Sequence, residues 1–182
     1  MRVIVFLVAF SILFGMISAT QLSFAQYDTK NPIKPSTKTM KISSVFENNG
    51  KIPKKYTCDG ANVSPPLKIS NIPKNAKSMA LILDDPDAPS GTFTHWVVWG
   101  ISPKKTHLGE GEKKGFIEGA TGLGKPGYVG PCPPSGVHRY FFKLYALDFP
   151  VDISTKSNKQ ELITAMQNHI IQTATLTAKY SR

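Results

Sequence analysis

Arginine is nearly missing from this 182-residue chain: Arg2, Arg139 and Arg182 stand beside nineteen lysines. The net charge of +10 is therefore carried by lysines spread along the sequence. That pattern reads as a solvated surface, because proteins that read phosphates and base edges concentrate arginine or a basic cluster on one face. No nucleic-acid partner is expected. Cysteine is scarce too, and Cys58 and Cys132 permit one bridge at most. There is no Cys-x-x-Cys pair, no Gly-x-Ser-x-Gly elbow and no Walker loop, so the thiol redox, serine-hydrolase and P-loop classes lack their signatures. No apolar pattern runs the length of the chain, and fourteen glycines and fourteen prolines punctuate it, which excludes a coiled coil or a long-helix bundle. What is present is 41% hydrophobic and only 19% charged residues, enough apolar surface for one core.

The first 25 residues read as a secretory signal. Arg2 is the positive start, Val3 to Ile17 is an uncharged apolar run, and Ser23-Phe24-Ala25 places small residues at the −3 and −1 positions of a cleavage site. The run falls short of the ~20 apolar residues a bilayer core requires, although a helix continuing to Phe24 could remain as an uncleaved membrane anchor. Export to the outside or the cell surface is the expectation. Residues 26–39 are polar, carry two prolines and read as a flexible tether, and the domain is expected over 40–182.

Within it, β-branched and aromatic runs bounded by Gly, Pro, Asn or Asp predict strands over 40–46, 53–57, 67–70, 78–83, 94–101 and 139–147. One helix is signalled, capped by Ser157 or Asn158, with Leu162, Ile163, Met166 and His169/Ile170 at helical spacing. A Thr-rich strand over 173–180 follows. The fold class is mainly β, antiparallel, with a late helix and a final strand.

Two segments hold most of the chemistry. In the first, an apolar strand ends at Leu83 and gives way to Asp84-Asp85-Pro86-Asp87-Ala88-Pro89, with His95-Trp96 shortly after. The second runs from Gly127 through Gly130-Pro131-Cys132-Pro133-Pro134-Ser135-Gly136 into a strand that opens with His138, Arg139 and Tyr140. Proline-stiffened loops at strand ends are where binding residues tend to be presented.

In this order and spacing, the two segments resemble the signature regions of the phosphatidylethanolamine-binding protein family, which includes Raf kinase inhibitor proteins. The domain is most similar in type to the bacterial and archaeal YbhB/YbcL branch. The stretch from Tyr56 to Leu67, the run Ile69-Ser70-Asn71-Ile72-Pro73 and the terminal helix agree with it. The resemblance implies two packed antiparallel sheets, a β-sandwich, and a small pocket for a phosphate-type anion or a phospholipid head group. Carried over residue by residue, that pocket is lined by Asp85, Asp87, Pro89, His95, Cys132, Pro134, His138 and Tyr140. His95, His138 and Tyr140, with backbone N–H groups near Gly130 and Cys132, are the expected donors. Arg139 alternates with the pocket residues and is expected on the opposite face as an ion-pair partner. Neither a cofactor nor a metal is implied.

The implied protein is a binding module and not an enzyme. A protease or kinase inhibitor acting through surface loops is the alternative, and a membrane surface is a further partner class. A hydrolase built on the Asp/His cluster has the acid–base residues but no recognisable nucleophile. Two backbone expectations accompany the resemblance: a cis Ala88–Pro89 bond, and free thiols at Cys58 and Cys132, since cytoplasmic relatives carry the same segments.

Overall fold

The computed structural model describes residues 38–182. The expected signal and all but the last two residues of the expected tether lie outside them. The order of elements is β1 (Lys41–Ser43), β2 (Gly50–Lys51), a 3-10 turn (Lys54–Tyr56), β3 (Leu67–Ser70), β4 (Ser78–Asp85), β5 (Phe93–Ile101), β6 (His107–Leu108), β7 (Ile117–Glu118), β8 (Val137–Leu147), α1 (Lys159–Met166) and β9 (Ile170–Ser181). β1, β3 and β6 make a three-stranded sheet, and the order β2-β9-β8-β4-β5-β7 makes the larger one. All pairings are antiparallel except the short β2–β9 pair.

The larger sheet is covered on both faces, and β4 is accordingly buried along its whole length. Its odd positions Met79, Leu81 and Leu83 pack with Trp96, Phe142 and Leu144 against Leu67 and Ile69 of the small sheet. Its even positions Ala80 and Ile82 pack with Val97 and Trp99 against Leu162 and Met166 of α1. A strand buried on two sides needs no polar alternation, which is why 78–83 reads as a continuous apolar run. The parity carries into the carboxylates: Asp84 emerges on the helix face and Asp85 on the face between the sheets.

The helix starts at Asn158, whose side chain accepts from the Gln160 and Glu161 N–H groups while Glu161 reaches back to the Asn158 N–H at 2.8 Å. It stops at Met166, and Asn168 at φ 67° turns the chain into β9, so His169 and Ile170 fall past the helical stripe predicted for them. The predicted strand over 53–57 is the 3-10 turn instead. Pro53 begins it, and the Thr57 N–H and hydroxyl both close on the Lys54 carbonyl.

Two backbone expectations are corrected. The Ala88–Pro89 peptide is trans. The Gly91 N–H donates to the Ala88 carbonyl at 3.0 Å, so Pro89 occupies the second position of a four-residue turn, where the trans isomer is the compatible one. Cys58 and Cys132 are joined in a disulfide, with Cα atoms 5.4 Å apart. The segment after the 3-10 turn lies directly on the second signature loop. The Cys58 N–H donates to the Pro131 carbonyl, the Gly130 N–H to Asn62 Oδ1 at 2.7 Å, and the Tyr128 hydroxyl to the Tyr56 carbonyl at 2.7 Å. Gly130 permits this close approach, since a Cβ there would sit 2.6 Å from Asn62 Oδ1 and 2.9 Å from the Thr57 backbone.

Candidate ligand-binding cavity

The ends of β4, β5 and β8 meet under the two signature loops around a cavity of about 390 Å³. Strand parity puts His138 and Tyr140 on the same face of β8 as the core residues Phe142 and Leu144. Arg139 falls on the other face, as expected. His95 reaches the cavity differently. Its odd neighbours Val97 and Trp99 point to the helix side, and simple alternation would carry His95 with them. Opposite β4, however, Trp96 pairs with Leu83 and Thr94 with Asp84, so His95 is the extra residue of a β-bulge. A bulge re-aims a side chain, and here it delivers an imidazole to the cavity.

Of the eight residues expected at the pocket, Asp85, Pro89, His95, Cys132, Pro134 and His138 line it. Tyr140 lies behind His95, with ring centroids 5.3 Å apart, and its buried hydroxyl has no hydrogen-bond partner among the described residues. Asp87 is turned away. Its carboxylate takes the Arg139 Nη2 at 2.6 Å and both the Nε and the backbone N–H of Arg139 at 2.9 Å. The Arg139 guanidinium holds the Asp87 carboxyl down at about 2. Phe93, Asn62, Val129, Leu123 and Cys58 also line it, with Ala88 and Pro133, and none of these is among the expected residues. Phe93 was legible, sitting two residues before His95 at the mouth of an aromatic strand. Asn62 and Cys58 come from a segment whose placement depends on long-range contacts.

The polar floor is fully specified at one nitrogen of each ring. His95 Nδ1–H donates to the Val129 carbonyl at 2.7 Å, and His138 Nδ1–H donates to Asp85 Oδ2 at 2.8 Å. Asp85 Oδ1 accepts from the Asp87 N–H at 2.8 Å, which fixes the carboxylate. The Nε2 of each ring has no partner among the described residues and is not sealed from the cavity. A carbonyl can only accept, so the neutral His95 ring presents an acceptor at Nε2 and becomes a donor there only when charged. Burial pushes the His95 pKa down, against the opposing pull of the Val129 bond and the Asp85 charge. Burial, with the Asp85 charge added, pushes the Tyr140 hydroxyl up, so it stays protonated. The Gly130 N–H, expected to face an anion, is donated to Asn62 instead. The walls are apolar: Ala88, Pro89, Phe93, Leu123, Val129, Pro133 and Pro134.

A larger hollow of about 610 Å³ lies across the Ala88–Pro89 turn, lined by residues such as Thr92, Thr121, Asn158 and Lys159, with neither an imidazole nor a carboxylate. On that side the buried Asp84 carboxylate is neutralised by Lys159 at 2.9 Å and Lys143 at 3.2 Å and accepts from the Thr94 hydroxyl. This cluster ties α1 to the sheet. The 390 Å³ cavity is the one of these two that sets imidazoles beside a carboxylate.

A family profile described as Phosphatidylethanolamine-binding protein matches residues 42–181. A protein of Methanothermobacter thermautotrophicus named UPF0098 protein is 48% identical over 143 residues, covering 75% of this chain and 95% of its own length. A Pyrococcus horikoshii UPF0098 protein is 47% identical over 154 residues, covering 79% of this chain and 77% of its own. Two crystal structures superpose on the domain. One, a homologue of phosphatidylethanolamine-binding protein from Chlamydia trachomatis, is 41% identical with a TM-score of 0.77 and coverage of 79% of this chain and 98% of that one. The other, Escherichia coli YbcL, described as a member of the mammalian family, is 28% identical with a TM-score of 0.73 and the same coverage.

Proposed function

Because the chain belongs to the phosphatidylethanolamine-binding protein family, we propose that it is an exported binding protein whose 390 Å³ cavity holds a phosphate-type anion or a phospholipid head group. The observation that carries this reading is the pair of half-tethered imidazoles. His95 and His138 each spend Nδ1 on the protein and leave Nε2 to a ligand, over a floor rigidified by Asp85. Apolar walls above a small polar floor are the usual composition of a small-molecule site, in which few polar groups fix orientation. The reading is of binding and not of catalysis. The sulfur of Cys132, the candidate nucleophile nearest His138 in the sequence, is tied up in the disulfide.

Calorimetric titration with phosphoethanolamine tests it. His138→Ala and His95→Ala should each weaken binding by about 1–3 kcal/mol, the scale for losing a hydrogen bond to a charged group. Equal affinity in wild type and both variants would remove the cavity from the account.

A further inference from the structure

The cavity occupies one end of the larger sheet, and a separate charged feature occupies the other. β4 runs from Ser78 to Asp85 and β5 returns from Phe93 to Ile101, so the loops before β4 and after β5 lie at the end away from the imidazoles. The eight residues of β4, at about 3.3 Å a step, put that end roughly 23 Å from Asp85. There the loops at 72–77 and 102–104 enclose a hollow of about 510 Å³. Its floor is apolar, made by the half-buried Ile72, Pro73, Ala76 and Pro103, and its rim is Lys74, Lys77 and Lys104, all exposed.

Neither loop contains an Asp or a Glu, and the three ammonium groups have no carboxylate partner among the described residues. The acids close by are already engaged. Asp148, which follows the Leu147 carbonyl that accepts from the Lys77 N–H, is held by His169 at 2.8 Å, and Glu112 is held by Lys105 at 2.7 Å. By contrast Arg139, Lys143 and Lys159 at the cavity end are each tied to an aspartate.

The chain enters the domain beside this hollow. Lys41 pairs with Ser70, and the Asn71 side-chain amide donates to the Thr39 carbonyl at 3.1 Å, which seats the exposed Lys38 and Lys41 next to the loop that carries Lys74 and Lys77. Upstream, the sequence adds Lys30 and Lys34 before the apolar run that ends near Phe24. The thirteen residue steps from Ala25 to Lys38 keep the entrance within about 45 Å of that run by chain length alone.

We infer that this lysine end docks on an anionic bilayer surface, the one that holds the apolar run, and leaves the cavity end facing the aqueous phase. Lysines around an apolar floor can lay their stems along the interface while the ammonium groups meet lipid phosphates, and each gains about fivefold in partition near an anionic leaflet. Two other occupants are disfavoured by charge. Residues 26–37 carry Lys30 and Lys34 against the single Asp28, and a second copy of the chain brings the same lysines, so each is repelled by the rim. The docked end does not depend on which ligand the cavity takes.

The test is hydrogen exchange read by mass spectrometry on the full-length protein reconstituted in phosphatidylcholine vesicles with or without phosphatidylglycerol. Amides of 72–77 and 102–106 should exchange several-fold more slowly when phosphatidylglycerol is present, and the difference should vanish in about 1 M salt, where the Debye length is about 3 Å. Lys74→Glu/Lys77→Glu/Lys104→Glu should abolish the protection. Lys51→Glu/Lys125→Glu/Lys179→Glu, which changes the net charge by the same amount at exposed lysines outside the hollow, should keep it. Equal loss in the two triple variants reduces the contact to net charge and overturns the docking. Protection of the cavity-end loops at 121–126 and 133–136 in its place overturns it too, as does the absence of any phosphatidylglycerol-dependent protection. Protection by soluble polyglutamate but not by the vesicles also overturns it and assigns the hollow to an acidic polypeptide. The salt comparison uses the wild type alone, so it decides the matter even where a glutamate variant misfolds.

Discussion

Removing the Cys58–Cys132 bridge by a Cys58→Ser/Cys132→Ser double substitution perturbs the fold mainly through the unfolded chain. The bridge closes a separation of 74 residues. In the loop-entropy treatment that closure is worth about 4.5 kcal/mol at 25 °C. The native contacts around the bridge do not depend on the sulfur atoms. Asn62 still receives the Gly130 N–H, Tyr128 still reaches the Tyr56 carbonyl, and Asp59 still holds the Tyr180 hydroxyl at 2.8 Å and the Arg182 guanidinium at 2.9 Å. The double variant should therefore fold to the same structure and unfold at lower guanidinium concentration, with a larger m-value because its denatured state is less constrained. For a domain of this size, about 4.5 kcal/mol corresponds to a fall in Tm of roughly 9–18 °C. Guanidinium titration of the oxidised wild type, the reduced wild type and the double variant is the assay. Reduced wild type and variant should coincide, both well below the oxidised protein. A difference under about 1 kcal/mol between oxidised and reduced protein would refute the entropic reasoning, and a variant without the native near-UV signal would refute the claim that the clamp stands by its hydrogen bonds.

Three further outcomes follow from the same geometry. Gly130→Ala drives a Cβ against Asn62 and the Thr57 backbone and should destabilise by about 1–3 kcal/mol, read as a shift in denaturation midpoint, whereas Gly124→Ala tests only local strain at φ 71°. Asp87 is depressed from 3.8 to about 2 by Arg139, so its pair stabilises the native state fully above pH 3.8, and that share is lost as pH falls toward 2. Asp87→Asn should flatten the acid limb of stability in this window, and an unchanged limb would exclude the pair as its source. His95 is depressed from 6.5 by burial, so its linkage destabilises the native state progressively as pH falls below 6.5 toward the lowered native value. His95→Phe should remove part of that slope, as measured by Tm against pH.

Much of the site follows from strand parity. Leu83 to Asp85 reads as a strand leaving the core, and His138, Arg139 and Tyr140 read as in, out, in, which is how β8 presents them. Asp87 departs from the rule: alternation would carry it to the cavity with Asp85, but it lies past the end of β4 in a turn closed by its own N–H on Asp85 Oδ1, and its carboxylate meets Arg139 instead. His95 was identified from the resemblance and not from alternation, because a β-bulge appears in no periodicity and becomes visible only in the register of two strands. The two-residue strands β2, β6 and β7 are too short to leave a pattern. The cysteines were separated in expectation because their meeting depends on Asn62, Tyr128 and Gly130 closing one loop over another, contacts some seventy residues apart in sequence. Pro89 shows the converse limit, since its isomer follows from the turn closed by Gly91 and not from the residue pair alone.

A crystal structure of the protein grown with methyl phosphate would show whether the imidazole floor is where a phosphate-type ligand sits. Phosphate density is expected inside the 390 Å³ cavity, with oxygens in hydrogen-bond reach of Nε2 of His95 and of His138 while both Nδ1 bonds persist. Density seated instead in the hollow lined by Arg139, Lys143 and Lys159, with the imidazole floor free of phosphate, would contradict it.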